Sequence, residues 1–253
     1  MWFLILLFLL AKPIKADDSS SLFTKYQQDY LYQYDLYQQS YADYTGKKQI
    51  FAKYGTITTQ NEAFLAAKQA IIARNQVLKT YLVALRVMLN DYKTSDFTQT
   101  ENIQTELTNW ESWLDQQLPI ITAFNNTKDL QTWVKVFQSK YIQIQRSIYT
   151  SLIQNEVNLR GLTLNQIQSL FQNIQNNPHI KPDSQQWIQS YSDKSNLASS
   201  AINNALLLTK KNQPTDRFLN FYPNAQTNLD QSRKYLTEIT SDLKLIIIKF
   251  YQP

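Results

Sequence analysis

Four acidic side chains are the first candidates for acid–base chemistry in this sequence, and they lie close together along the chain. Glycan-cleaving enzymes use one or two carboxylates as acid, base or nucleophile, so Glu111 could serve such a reaction in an exported helical protein. A solvated helix face is the better interpretation, because the charged residues of an amphipathic helix ordinarily face water. The four acids are Glu101, Glu106, Glu111 and Asp115.

Residues that support most other reactions are scarce. The chain has one histidine, His179, and no cysteine. A multi-histidine metal site, a thiolate nucleophile and a disulfide are therefore excluded. A serine triad needs only one histidine, but the Gly-x-Ser-x-Gly turn that presents the serine is absent. We therefore predict a protein that is not an enzyme and that holds no metal or cofactor.

Aromatic residues recur at helical spacing near the N-terminus. Tyr30, Tyr37 and Tyr44 are seven residues apart, and Tyr34 and Tyr41 lie four residues beyond the first two. Residues at this spacing share one face of a helix, which could stack on a partner helix. The alternative is that the rings fill the seam between this helix and its neighbour.

One tryptophan is a further candidate for a contact. Trp113 lies one step off the apolar stripe of the third predicted helix, so it could be exposed, and exposed tryptophans often mark contact sites. Packing in the core or in a helix seam is the alternative. The predicted partner-binding residues are Tyr30, Tyr34, Tyr37, Tyr41, Tyr44 and Trp113.

The elements that position these residues are predicted to be helices. Only three of the 253 residues are glycine, whereas the hairpins and bulges of sheet proteins need glycine. Seven-residue spacing of apolar residues continues in the later segments, as at Phe64, Ile71 and Leu78. We predict an all-α fold, an extended up-down bundle of long helices with coiled-coil-like stripes, followed by shorter C-terminal helices.

Capping residues, glycines and prolines predict where the helices begin and end. The first helix should end near Gly55, and the second should begin at a capping box of Thr59 and Glu62. Pro119 should kink or end the third helix, because its ring clashes with the preceding turn. Gly161 should close the fourth helix, with a separate short helix after it.

The N-terminus predicts export. Residues 2–11 form an unbroken apolar run, followed by Ala16 and a polar stretch, which is typical of a cleaved signal peptide. As a helix the run covers about 16 Å, too little for a hydrocarbon core of about 30 Å. We expect a signal peptide at 1–16, a long-helix bundle at 17–177 and C-terminal helices at 178–253 that pack on the bundle or form one domain with it. An uncleaved helix that dips into the membrane is the alternative, and only then is a membrane an expected partner.

Charge and composition restrict the partners. The chain has 25 basic and 20 acidic residues, and two of the basic residues lie in the expected signal peptide. This near-neutral balance predicts no nucleic-acid binding. We predict an exported, non-catalytic binding or scaffolding component of the cell envelope or extracellular space, which contacts a protein partner or a second copy through its helices. A carrier of an apolar small ligand in an interhelical cavity is the alternative.

Overall fold

The computed structural model describes residues 19–91, 97–176, 185–210 and 220–250. These residues are almost entirely helical and contain no strand, which confirms the all-α prediction. The expected signal peptide at 1–16 and His179 lie outside the described residues. The helices are α1 (Ser19–Tyr54), α2 (Ile57–Asp91), α3 (Phe97–Ala123), α4 (Thr127–Gln175), α5 (Gln185–Lys210) and α6 (Phe221–Phe250).

The helices gather into two compact units. Unit 1 comprises α1, α2, α3 from Thr98 and α4 as far as Lys140. Unit 2 comprises α4 from Tyr141 together with α5 and α6. The division between the units therefore falls within α4. The domain boundary expected at 177/178 lies outside the described residues, and it stays a prediction.

Unit 1 is built from the α1–α2 hairpin, α3 and the first part of α4. The α1 and α2 helices pack against each other. The Asn75 side chain on α2 donates a hydrogen bond of 2.7 Å to the Leu114 carbonyl on α3. The Trp133 ring nitrogen on α4 donates one of 3.0 Å to Gln117 on α3. Large side chains that are fully buried in this unit are Leu82, Leu85, Leu107, Leu114, Ile121 and Phe137.

The acids of α3 do not all face water. Glu101, Glu106 and Asp115 are exposed, as predicted, but Glu111 is only 8% exposed. Its two carboxylate oxygens accept hydrogen bonds of 2.8 and 3.2 Å from the Arg86 guanidinium on α2. The prediction of a solvated Glu111 is wrong, because a cation on the neighbouring helix compensates for the hydration that the carboxylate loses.

Unit 2 is held together by stacked aromatic pairs and a row of branched side chains. Phe171 on α4 stacks on Tyr191 of α5, and Tyr149 on α4 stacks on Tyr222 of α6, with ring centroids 3.5 and 4.6 Å apart respectively. Burial raises the pKa of the Tyr222 hydroxyl to about 12. Large side chains that are fully buried in this unit are Ile144, Ile148, Ile153, Leu229, Ile239 and Ile246.

The two glycines expected to end helices differ in conformation. Gly55 has a φ of +62°, and its N–H donates a hydrogen bond of 2.8 Å to the Phe51 carbonyl, which closes α1 as predicted. Gly161 instead lies inside α4, and the predicted end there is wrong. The buried face of α4 continues beyond Gly161 through Leu164 and Phe171. Their burial outweighs the roughly 1 kcal/mol by which an interior glycine weakens a helix.

The start of α2 also differs from the prediction. The helix begins at Ile57, and the cap is formed by Thr56 and Thr59. The Thr59 N–H donates to the Thr56 hydroxyl at 3.2 Å, and the Thr56 N–H donates to the Thr59 hydroxyl at 3.1 Å. The capping box is therefore three residues earlier than expected, and Glu62 forms an ion pair with Lys47 instead.

Pro119 lies inside α3, which continues to Ala123, so the helix does not end at this residue, and the alternative of a kink stays a prediction. A proline inside a helix leaves the carbonyl four residues earlier, here that of Asp115, without its helical donor. Both residues are exposed, so water can solvate that carbonyl. Solvation reduces the free-energy cost of keeping proline in the helix.

Replacing Gly55 and Gly161 by alanine should change stability in opposite directions. No atom lies within 4 Å of a Cβ placed on either glycine, so the backbone conformation decides the effect. Gly55→Ala should lower the free energy of unfolding by about 1 kcal/mol, because alanine disfavours the left-handed conformation. Gly161→Ala should raise it by about 0.5–1 kcal/mol, because alanine is the better helix former. Urea unfolding of both variants tests this, and two changes of the same sign would contradict it.

Candidate functional site

The first two tyrosines of the predicted stripe lie in the α1–α2 region of unit 1. Tyr30 is 3% exposed, and its ring packs edge-on against Tyr81 of α2 with centroids 5.5 Å apart. Tyr34 is half-buried beside it, at 6.2 Å. These positions match the packing alternative of the sequence analysis. A partner-binding role for Tyr30 and Tyr34 stays a prediction.

The other three tyrosines border a groove in unit 1 that is formed by α1, α2 and α4. Tyr37 is buried, Tyr44 is half-buried and Tyr41 is 49% exposed. The rings form a continuous row, with centroids 5.9 Å apart between Tyr37 and Tyr41 and 6.2 Å apart between Tyr41 and Tyr44. The structure therefore brings three of the six predicted residues together at one concave surface.

The groove encloses about 830 Å³, which lies within the roughly 300–1,000 Å³ of small-molecule sites. Three alanines on one face of α2 leave this space open, because their side chains end at Cβ. Aromatic, branched and neutral polar side chains complete the walls together with the basic residues described below. The apolar lining consists of Tyr37, Tyr41, Tyr44, Phe51, Ala63, Phe64, Ala67, Ala70, Ile71, Leu130 and Val134.

Three cations and no acid are among the residues that line the groove. Each of the three helices supplies one cation: Lys48 on α1, Arg74 on α2 and Lys135 on α4. The Arg74 guanidinium lies 4.3 Å from the centre of the Phe137 ring. Burial raises the pKa of the Tyr37 hydroxyl, and the charge of Arg74 opposes part of this rise. The electrostatic field in the groove is therefore positive and favours an anionic group.

The two lysines of this set are available to a ligand. Lys48 and Lys135 are both exposed, and neither forms an ion pair or hydrogen bond with any residue that the structure describes. Their long stems can follow the apolar wall while the ammonium groups stay in water. A bound anionic group could thus be met at the groove mouth with little loss of hydration.

Trp113 lies in unit 1 but does not line the groove. It is half-buried, with its ring T-shaped to Trp110 at 6.0 Å and tilted to Phe137 at 5.8 Å. These contacts fit the packing alternative, and a partner-binding role for Trp113 stays a prediction.

Sequence reasoning did not identify most of the groove. Phe64 and Ile71 belong to the apolar stripe predicted for the second helix, but a stripe does not show whether its partner helix fills the space opposite. The available signal was the spacing of Ala63, Ala67 and Ala70, which places small side chains on one helical face. The three cations lie on three helices, so their convergence has no signature in the linear sequence.

A scan against protein-family models found no match, and searches of curated proteins and of solved structures found no significant similarity. Among the residues that the structure describes, no cluster of histidine, cysteine or acidic side chains is suited to hold a metal ion. No helix within the described ranges is both long and apolar enough to cross a bilayer.

Proposed function

We propose that this protein is a non-catalytic carrier that holds an apolar small molecule in the groove between α1, α2 and α4. The observation that supports the proposal is the groove itself, because an open space of this size lined by aromatic rings and alanines exposes apolar surface that a ligand would cover. A carrier of an apolar small ligand between helices is also the alternative function that the sequence predicts.

The charge of the groove narrows the ligand class. Lys48, Arg74 and Lys135 belong to a mainly apolar lining that contains no acid, and its other polar residues are Gln60, Thr127, Gln131 and Gln138. A molecule with a long apolar body and one anionic end, such as a long-chain carboxylate, satisfies both properties. The apolar body would lie against the rings and alanines, and the anionic end would face the exposed lysines.

Blocking the groove should remove binding. Titration of the lipid-free protein with a fluorescent long-chain carboxylate should show saturable, single-site binding. Ala67→Trp places a large ring in the groove and should weaken the affinity at least tenfold, which is about 1.4 kcal/mol. Ala42→Trp is the matched control, because Ala42 is exposed on α1 and does not line the groove. Absence of saturable binding, or equal affinity for the two variants, would contradict the proposal.

The same titration separates the contributions of the apolar body and of the anionic end to the binding affinity. Lys135→Gln should weaken binding of the carboxylate up to about fivefold and leave the matched alcohol unchanged, since an exposed charge pair contributes up to about 1 kcal/mol. Lys128→Gln is the control, because Lys128 is exposed on the same helix outside the groove lining. If Lys135→Gln weakened the affinity for the carboxylate and for the alcohol equally, the apolar binding site would still be supported. The proposal that the ligand is anionic would be contradicted.

A second candidate is the exported binding or scaffolding component, which would contact a protein or a second copy of this chain through α1. The supporting observation is that Leu31 and Tyr32 on this helix are 52% and 62% exposed. Light scattering of the same samples distinguishes the two functions. A monomer at all concentrations that binds the carboxylate favours the carrier, whereas a dimer that binds no carboxylate favours the scaffold. Export remains part of both proposals and rests on the N-terminal segment.

A further inference from the structure

The end of the α1–α2 hairpin exposes apolar side chains to water. We refer to residues 47–58 as the hairpin tip. Ile50 is 40% exposed, Tyr54 is 60% exposed and Ile57 is 78% exposed. Ile50 and Tyr54 are four residues apart on α1 and therefore share a face, and Ile57 is the first residue of α2. Exposed apolar side chains concentrated at one end of a hairpin indicate a surface that meets a partner.

The hairpin tip is also basic. It contains Lys47, Lys48 and Lys53, and the nearest acids along the chain are Asp43 and Glu62. Glu62 pairs with Lys47 at 3.1 Å, which leaves two lysines without an acidic partner among the described residues. The Lys53 ammonium lies 5.1 Å from the centre of the Tyr54 ring. The tip thus combines positive charge with exposed aliphatic and aromatic side chains.

Several backbone donors at the turn between α1 and α2 have partners within the turn. The Gly55 N–H donates to the Phe51 carbonyl at 2.8 Å, and the Gln60 N–H donates to the Thr56 carbonyl at 2.9 Å. The hydroxyl of Thr56 accepts from the Thr59 N–H. Backbone donors that already have partners can enter a medium poor in water at low cost. The turn can therefore approach the headgroup level of a bilayer with these donors already paired.

We propose that the hairpin tip docks on an anionic lipid bilayer. Lysines bind the charged headgroups, tyrosine is favoured at the headgroup level, and isoleucine is favoured below it. This charge complementarity selects an anionic bilayer as the occupant. The inference does not depend on the proposed carrier function, although Lys48 and Phe51 of the tip also line the groove. A ligand leaving the groove near these residues would meet the bilayer directly.

A fluorescent label at the tip tests this inference. The chain has no cysteine, so Tyr54→Cys and Leu65→Cys can each be labelled at a single site with an environment-sensitive dye. Leu65 is the matched control, because it is 57% exposed on α2 outside the tip. Vesicles of phosphatidylcholine with and without phosphatidylserine are the probes. We expect the emission of the tip label to rise several-fold on the anionic vesicles only, with quenching by a bilayer-borne quencher, and the control label to stay unchanged.

Charge and apolar variants complete the experiment. Each lysine near an anionic surface contributes roughly a fivefold factor to partitioning, so Lys48→Gln with Lys53→Gln should raise the lipid concentration at half-maximal signal by about 25-fold. Ile57→Ser should raise it about tenfold. The double substitution Lys25→Gln with Lys128→Gln is the control and should leave it unchanged, because both lysines are exposed outside the tip and outside the groove lining.

Three outcomes would overturn the inference: a tip label that stays in water on anionic vesicles, an equal response on neutral vesicles, or an unchanged midpoint in the tip variants. A tip that instead serves a protein partner would give the first of these. Ala67→Trp separates this inference from the carrier function, because it blocks the groove and should leave the tip signal unchanged.

Discussion

Phe137→Ala is expected to lower the free energy of unfolding by about 3–5 kcal/mol, the range for truncating a fully buried phenylalanine. Phe137 is 1% exposed in unit 1, and its ring lies 4.7 Å from Trp133 and 5.8 Å from Trp113 between centroids. The Arg74 guanidinium covers the same ring at 4.3 Å. Truncation removes all three contacts and leaves a cavity that two large indole rings cannot readily fill.

Val136→Ala is the matched control for this prediction. Val136 is the neighbouring residue on α4 and is 54% exposed, so its truncation should change the free energy of unfolding by no more than about 0.5 kcal/mol. Urea unfolding, followed by circular dichroism at helical wavelengths, provides the comparison. If Phe137→Ala cost less than about 1 kcal/mol, the aromatic cluster would contribute far less than buried packing ordinarily does.

Glu111→Ala is expected to lower the free energy of unfolding by about 2–3 kcal/mol. The substitution leaves Arg86 without the carboxylate that holds it at 2.8 and 3.2 Å. The hydrogen bond from Arg86 to Glu111 raises the pKa of the guanidinium, and an arginine that loses this partner still carries its charge. Breaking a fully buried pair costs about 3–5 kcal/mol, and the lower value applies here because the Arg86 side chain is 34% exposed.

Two controls separate charge burial from simple truncation. Asp115→Ala breaks the neighbouring α2–α3 pair, in which Asp115 accepts from Lys79 at 2.7 Å but is 53% exposed, so we expect a loss below about 1 kcal/mol. The double variant Arg86→Met with Glu111→Leu replaces the pair by apolar side chains and should come within about 1 kcal/mol of the wild type. A double variant as unstable as Glu111→Ala would mean that the pair itself, rather than an isolated charge, determines stability.

The same pair shows where sequence reasoning about the site reaches its limit. The spacing of the α3 acids indicates a helix but does not show that Arg86, on another helix, lies opposite Glu111. A similar limit applies to the tyrosines, because helical spacing places Tyr30 and Tyr41 on one face of α1 without showing how deeply each is covered. Tyr30 meets a large ring, Tyr81, whereas Tyr41 borders a groove kept open by alanines on α2. The size of the residues opposite decides between the two outcomes.

Helix ends show the same dependence on neighbours. Gly55 ends α1 through its left-handed conformation and its hydrogen bond to the Phe51 carbonyl. Both are local properties, so a short segment of sequence suffices to predict them. Gly161 is also a glycine at a predicted helix end, yet α4 continues through it because Leu164 and Phe171 are buried in unit 2. Packing free energy from distant residues therefore overrides a local preference of about 1 kcal/mol.

By itself the sequence determined the all-α class, the end of α1 and the absence of thiol chemistry, because helical periodicity and residue type are local properties. Only the tertiary structure decided that Lys48, Arg74 and Lys135 surround one apolar groove and that Glu111 is buried against Arg86. These residues come from different helices and are tens of positions apart. Their convergence depends on which helical faces meet and on how completely the side chains between them fill the space, and no local pattern encodes either property.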